Sequence, residues 1–275
     1  MARAEIPGRL NWRVATLATA KDETATARTL VLDVPGWAGH LAGQHVDVKL
    51  TAQDGYSAQR SYSIASAPDG ARLELTVQRI ADGEVSPYLT EVLEPGDPLE
   101  LRGPIGGWFV WNPEAAAPLL LVAGGSGIVP LMAMIRAHAA TSSQVPLRLI
   151  YSVRTPADAI YAPELSERTV ASPLEVTYLY TRAAPPEAAP DGPAAPPPSP
   201  ASPGQAGLGE GPGAIRAHAG RISAEVIAKS AWPPEAKPAV FICGPAGFVE
   251  TAADLLVAVG HAPAAIKTER FGPTS

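Results

Sequence analysis

The chain has 275 residues, enough for two ordinary domains, and its 46% hydrophobic and 17% charged residues exclude a disordered or fibrous protein. A formal net charge of −6 excludes the broad basic field that nucleic acid or an anionic membrane surface requires, so neither is expected as a partner. The only cysteine, Cys243, excludes an intrachain disulfide and any iron–sulfur cluster held by four cysteines of this chain. Residues 1–10 carry charges and a proline where a secretory signal would have an apolar run, and the expected location is cytoplasmic.

In chain order, residues 28–34, 45–50 and 73–77 alternate apolar and polar side chains between turns, the pattern of short strands in a closed antiparallel barrel. Arg60-Ser61-Tyr62-Ser63 sets an arginine, an aromatic and a hydroxyl along one such strand. At alternate strand positions such groups would face one side together and offer a phosphate clamp, a stacking surface and a hydrogen-bonding group. An ordinary half-exposed strand shows the same alternation. Gly83-Glu84-Val85-Ser86 opens a helix-like run through Tyr88, Leu89 and Leu93. Its amides and the Ser86 hydroxyl could meet a second phosphate, or Ser86 could simply cap the helix. Gly103-Pro104-Ile105-Gly106 reads as a tight turn that closes a barrel strand.

From Pro118 apolar runs alternate with helical segments: 119–123, a helix after Pro130, 147–153, 174–180, 240–242 and a helix near 248–259. That order predicts a parallel sheet covered by helices, with the domain boundary near 112–117. The uncharged stretch 117–135 is nearly long enough to span a bilayer, but Gly124, Gly125, Gly127 and Pro130 interrupt it as turn residues would, so no membrane insertion is expected. The same glycines lie between a buried strand and a helix, where the backbone can approach a pyrophosphate at a positive helix end. The third glycine of the dinucleotide fingerprint is missing.

Cys243-Gly244-Pro245 follows another buried strand, which puts a thiol at the carboxyl edge of the sheet; a small core cysteine is the plain alternative. Glu269-Arg270-Phe271-Gly272 closes the chain and could equally be a frayed tail. Residues 183–213 are Pro, Ala, Gly and Ser with almost no large apolar side chain, which predicts a disordered surface insertion; a proline-rich docking motif is the alternative.

The six motifs R-x-Y-S, G-x-x-S, G-P-x-G, G-G-x-G-I-x-P, C-G-P and a C-terminal acidic–x–aromatic occur in that order from about Arg13 to Phe271. Together they resemble the ferredoxin–NADP reductase superfamily. The resemblance implies a β barrel plus α/β architecture: a six-stranded antiparallel flavin-binding barrel over 9–112, then a parallel-sheet nicotinamide-binding domain over 117–275. It implies that Arg60 pairs with the flavin pyrophosphate, Tyr62 stacks on the isoalloxazine and Ser63 hydrogen-bonds near its reactive nitrogen, with Ser61 beside them. Gly83, Val85 and Ser86 would help hold the phosphates, and the G-P-x-G turn resembles FAD-binding more than FMN-binding members. Gly124, Gly125 and Gly127 resemble the coenzyme pyrophosphate site. Cys243, Gly244, Pro245 and Glu269 resemble the residues beside the nicotinamide, and Phe271 would cover the other flavin face.

The implied activity is an FAD-dependent NAD(P)H reductase that takes hydride from the coenzyme and passes single electrons to a separate redox protein, a ferredoxin or another redox subunit. The chain is expected to be a monomer. A flavin- and nucleotide-binding sensor subunit without turnover, or a reductase of free flavin or quinone, are the alternatives. Thr181-Arg182 resembles the hydroxyl–arginine pair that grips a 2′-phosphate, and a guanidinium matches phosphate where an NAD enzyme usually sets a carboxylate. NADPH is therefore the expected coenzyme and NADH the alternative. Arg154 would add charge, blunted by Asp158.

Overall fold

The computed structural model describes residues 10–68, 72–141, 143–182 and 214–272; the insertion read at 183–213 lies outside the described residues. Among them, twelve strands form two six-stranded sheets. The first comprises β1 (Arg13–Thr24), β2 (Ala27–Asp33), β3 (His45–Thr51), β4 (Ser57–Ser63), β5 (Arg72–Gln78) and β6 (Pro98–Ile105). Its order is β4-β3-β6-β1-β2-β5 and all its ladders are antiparallel. The two ends approach each other where Ile64 bridges Leu75 and the Ala65 N–H donates to Glu74 O at 2.8 Å, which curls the sheet into a barrel. The alternation read in the sequence supplies the filling: Leu30, Leu32, Val46, Val48, Leu73 and Leu75 are fully or almost fully buried.

β1 escapes a sequence reading because register shifts at Leu17/Thr19 and Asp22/Thr24 break its period of two. The turn read at 103–106 is corrected as well. Gly103, Pro104 and Ile105 lie within β6, Ile105 pairs with His45, and the chain turns only at Gly106 and beyond. Gly103 serves close passage instead, since a Cβ there would stand 2.8 Å from Val46 Cγ1.

The second sheet contains β7 (Leu119–Gly124), β8 (Leu147–Val153), β9 (Leu174–Tyr180), β10 (Ile215–Ala219), β11 (Ala239–Pro245) and β12 (Ile266–Phe271), all parallel, in the order β10-β9-β8-β7-β11-β12. β7 is buried at every position because both its faces are covered. Leu119, Leu121 and Ala123 point to a core shared with α1 (Ile128–Ala140) and α2 (Ala162–Ala171), while Leu120 and Val122 point to one shared with α3 (Ala224–Ser230) and α4 (Ala246–Ala258). The strand order reverses between β7 and β11. In such sheets this is where a crevice opens beyond the carboxyl ends of the strands. The 117–135 stretch is thus β7, a short 3-10 turn and most of α1, and no described helix is long and apolar enough to cross a membrane.

Ala42 and Ala65 of the barrel belong to the same core as α1, so the two sheets share one packed seam. Arg136 of α1 crosses it. Its Nη1 donates to Ala65 O at 3.0 Å and to Glu74 Oε2 at 2.6 Å, and Nε and Nη2 form a fork on Glu164 at 3.0 and 2.6 Å. Burial pushes the Glu164 carboxyl upward, but Arg136 and then Arg168 overcome that and hold it below the usual carboxylate range. Beside this, Tyr161 donates to Thr76 across the seam. Replacing Arg136 by Met should leave Glu74 uncompensated and Glu164 with Arg168 alone, and cost about 2 to 4 kcal/mol, somewhat below the range for fully buried pairs. Denaturant unfolding followed by tryptophan fluorescence checks this; a loss under about 1 kcal/mol, as for exposed pairs, would show that Arg136 does not pin the seam.

Candidate functional site

The loop between β7 and α1 is built on close approach. A Cβ on Gly127 would lie 2.1 Å from Cys243 O, so only glycine lets the start of α1 sit against the end of β11. Gly125 has φ +54° with open space around it, which leaves its surface clear for a ligand. Gly124 and Gly244 face each other at the ends of β7 and β11, with the Phe248 ring against both. The carboxyl ends of these two strands therefore form a cradle whose walls are backbone, at the switch point of the sheet, and Pro130 in the first turn of α1 is compatible with a helix start. Such a cradle suits a pyrophosphate.

Register then orders the catalytic candidates. Cys243 pairs with Glu269 and Pro245 with Phe271 across β11 and β12. In the barrel, His45 pairs with Ser63, Val46 with Tyr62 and Val48 with Arg60. The two sets meet at one contact: His45 Nδ1 lies 3.8 Å from Glu269 Oε1. Ser63, His45, Glu269 and Cys243 thereby form a continuous line across the seam, with Phe271 half-exposed at its end.

Arg60 and Tyr62, at alternate positions of β4, share a face as expected, but the Ser61 hydroxyl does not join them, because the period of two sends neighbours to opposite sides. Ser61 donates to Asp47 Oδ1 at 2.6 Å, and Arg102 also holds Asp47, whereas Arg60 and Tyr62 lie on the other face. Tyr62 packs on the barrel core, and burial raises its phenol to about 12. Val85 is a core residue at 1% exposure. Ser86 does not cap the short helix after it; its buried Oγ accepts the Ile80 N–H at 3.0 Å. Gly83 donates its own N–H to Ile80 O at 2.9 Å. The residue of that loop that reaches outward is Glu84, a carboxylate that the sequence reading passed over, bonded to Arg60 at 2.6 Å.

At the far side of the cradle, the Thr181 N–H donates to Val153 O and the Arg182 N–H to Arg154 O, so the ends of β8 and β9 run side by side. Thr181 and Arg182 are exposed there. Arg154 is engaged by Asp158 at 2.9 Å, as the sequence suggested, and Asp158 also accepts from Thr155.

Desolvation sets the electrostatics of the seam. Burial raises Glu269 to about 7, and its Oε2 has no hydrogen-bond partner among the described residues. Burial also pushes the Cys243 thiol well up, with Glu269 adding to the effect, so the thiol stays neutral. His45 is lowered by burial, opposed by Asp47. Although His45 and Glu269 stand at ion-pair distance, these shifts run toward a neutral pair at neutral pH. A carboxyl whose folded pKa lies above its unfolded value resists ionising in the folded chain. The penalty is absent below pH 4.5, grows as pH rises and is complete above about 7, where the displacement corresponds to about 3 kcal/mol at most. Glu269→Gln should therefore raise the melting temperature by several degrees at pH 8 and little at pH 5. Equal shifts at both pH values would show that the carboxyl titrates normally.

Two family models match consecutive parts of the chain: an oxidoreductase FAD-binding domain over residues 3–110 and an oxidoreductase NAD-binding domain over residues 121–193. Among curated proteins, ferredoxin–NADP reductase B of Sorangium cellulosum is 42% identical over 125 residues, covering 45% of this chain and 50% of that protein. The glycine betaine monooxygenase reductase subunit of Pseudomonas aeruginosa is 30% identical over 233 residues, covering 84% of this chain and 56% of that protein. The chain thus spans about half the length of these relatives. Among solved structures, a ferredoxin NADP+ reductase from Neisseria gonorrhoeae with bound FAD and NADP superposes with a TM-score of 0.72 at 20% identity, covering 94% of this chain and 98% of that one, a likeness of fold. Barrel, parallel sheet and both matched models agree, and the chain belongs to the ferredoxin reductase-like superfamily.

Proposed function

We propose that the chain is an FAD-dependent NAD(P)H reductase that prefers NADPH and delivers single electrons to a separate redox protein. The observation that carries this reading is the meeting of the two candidate sets across the seam, where His45 beside Ser63 approaches Glu269 beside Cys243. A sensor that only bound nucleotides would need the phosphate loops but not this line of groups. FAD, when bound, would supply the conversion of a two-electron donor into one-electron steps, and the protein's part is alignment.

The residues present fit both nucleotides. Arg60 offers a guanidinium for the flavin diphosphate and Tyr62 an aromatic face beside it. The glycine cradle at Gly124, Gly125, Gly127 and Gly244 leaves backbone surface for the coenzyme pyrophosphate. Cys243 is a small neutral side chain at the closing edge of the cradle, suited to contact with a nicotinamide ring without introducing charge. Phe271, exposed on the strand that carries Glu269, would cover the flavin and yield to the coenzyme. Holding two rings at reacting distance in a water-poor seam can account for several kcal/mol of barrier, the scale known for positioning effects. Reductase components are among the similar proteins, including the toluate 1,2-dioxygenase electron transfer component of Pseudomonas putida. An oxygenase, a ferredoxin or another redox subunit is the matching kind of acceptor for this chain.

Coenzyme choice rests on Thr181 and Arg182. We assign the 2′-phosphate to Arg182, with Arg154 adding a positive charge that Asp158 blunts. Steady-state assays with a small one-electron acceptor should give a higher kcat/KM with NADPH than with NADH. Arg182→Ala should shift the ratio toward NADH by about tenfold to a hundredfold, the loss expected for one charge-assisted phosphate contact. Preference for NADH in the wild type, or an unchanged ratio in the variant, would remove Arg182 from the site; turnover with neither coenzyme would remove the reductase reading itself.

A further inference from the structure

Glu84 holds the guanidinium that the flavin phosphates need. Its Oε2 lies 2.6 Å from Arg60 Nη2, and Tyr56 donates its hydroxyl to Oε1 at 2.5 Å, so each carboxylate oxygen has a donor. The Tyr56 hydrogen bond first, and then Arg60, hold the Glu84 carboxyl below the usual carboxylate range, which keeps it ionised at neutral pH. The loop beneath is fixed. Val85 is buried in the barrel core, and Gly83 and Ser86 both bond to Ile80, so the Arg60–Glu84 contact parts by side-chain rotation and not by movement of the loop.

Arg60 also donates from Nη1 to Gln59 O at 2.7 Å. A guanidinium has five N–H donors, so three remain for an incoming ligand, but Nη2 already carries an anion. Both members of the pair are about half-exposed, and such pairs add little to folding stability. The effect of the contact should therefore appear in ligand binding. A diphosphate arriving at Arg60 must either displace Glu84 or accept a like charge within a few ångströms of it, and both outcomes weaken binding most strongly at low ionic strength.

We propose, on the reading that Arg60 clamps the flavin diphosphate, that Glu84 is an internal competitor for that guanidinium and sets how tightly the chain holds FAD. In this role Glu84 is an affinity-setting residue. It makes the flavin more readily exchanged than the Arg60 site alone would allow, and Tyr56 is the group that keeps the competitor in place.

The test is a titration of the flavin-stripped full chain with FAD, followed by quenching of flavin fluorescence at low and at moderate salt, for the wild type, Glu84→Gln and Arg60→Ala. Glu84→Gln should bind FAD about three- to tenfold more tightly at low salt, with the gain shrinking as salt screens the charge. Arg60→Ala should bind it about tenfold more weakly or worse. If Arg60→Ala weakens binding while Glu84→Gln leaves it unchanged or weakens it, Arg60 stays in the flavin site and Glu84 is a support for the arginine, which overturns the proposal. If Arg60→Ala leaves binding unchanged, the flavin assignment of Arg60 fails and the proposal falls with it.

Discussion

Arg136 belongs to a helix of the parallel-sheet half, yet it reaches the barrel at Ala65 and Glu74 while it holds Glu164 beneath. A buried guanidinium is costly to desolvate, and this one is tolerated because two carboxylates and a carbonyl satisfy it together. The consequence is positional. The candidate site is split, with Tyr62 and Ser63 on one side of the seam and Cys243 and Glu269 on the other, so its geometry is only as good as the registration of the two halves. Tyr161 reinforces the pin: it lies under the Arg136 guanidinium at 5.2 Å and reaches Thr76 on the barrel. Its φ of 61° is left-handed, a conformation that costs an ordinary residue roughly 1 to 2 kcal/mol and persists where packing over-determines it.

That rigid seam also explains the electrostatics of the site. Excluding water raises Glu269, raises Cys243 and lowers His45, three groups driven toward neutrality by the same burial. A partly buried junction in which charge is disfavoured suits the close stacking of two flat rings. The charges that would hold phosphates sit at its margins, Arg60 on the barrel and Arg182 at the end of β9, where solvent offsets their cost. A candidate site in which burial disfavours charge, flanked by charged anchors, suits the proposed reaction.

Much of this was legible in the sequence. The strand periods, the glycines after β7, the Cys243 turn after β11 and the closing Glu269-x-Phe271 each depend on neighbours a few residues away. What escaped depends on contacts between distant residues. Arg136 reads as one charge in an otherwise apolar helix, and its partners lie 71, 62 and 28 positions away. Glu84 was in view inside its motif, but its partner Arg60 is 24 positions off. The face of Ser61 and the engagement of Ser86 were misread because local pattern does not say which hydroxyl another strand or loop will claim. His45 gave the signal of a histidine following Gly43-Gln44 on a strand, but its partner Glu269 lies at the other end of the chain.

On the proposed function, the two halves form one electron-transfer site at the seam. Adding NADPH in stoichiometric amount to the purified, FAD-loaded chain without air, while following its visible absorbance, tests this most directly. The account predicts that the yellow colour bleaches rapidly and returns when a one-electron acceptor is added. A chain that binds FAD and stays yellow with both NADPH and NADH would contradict it.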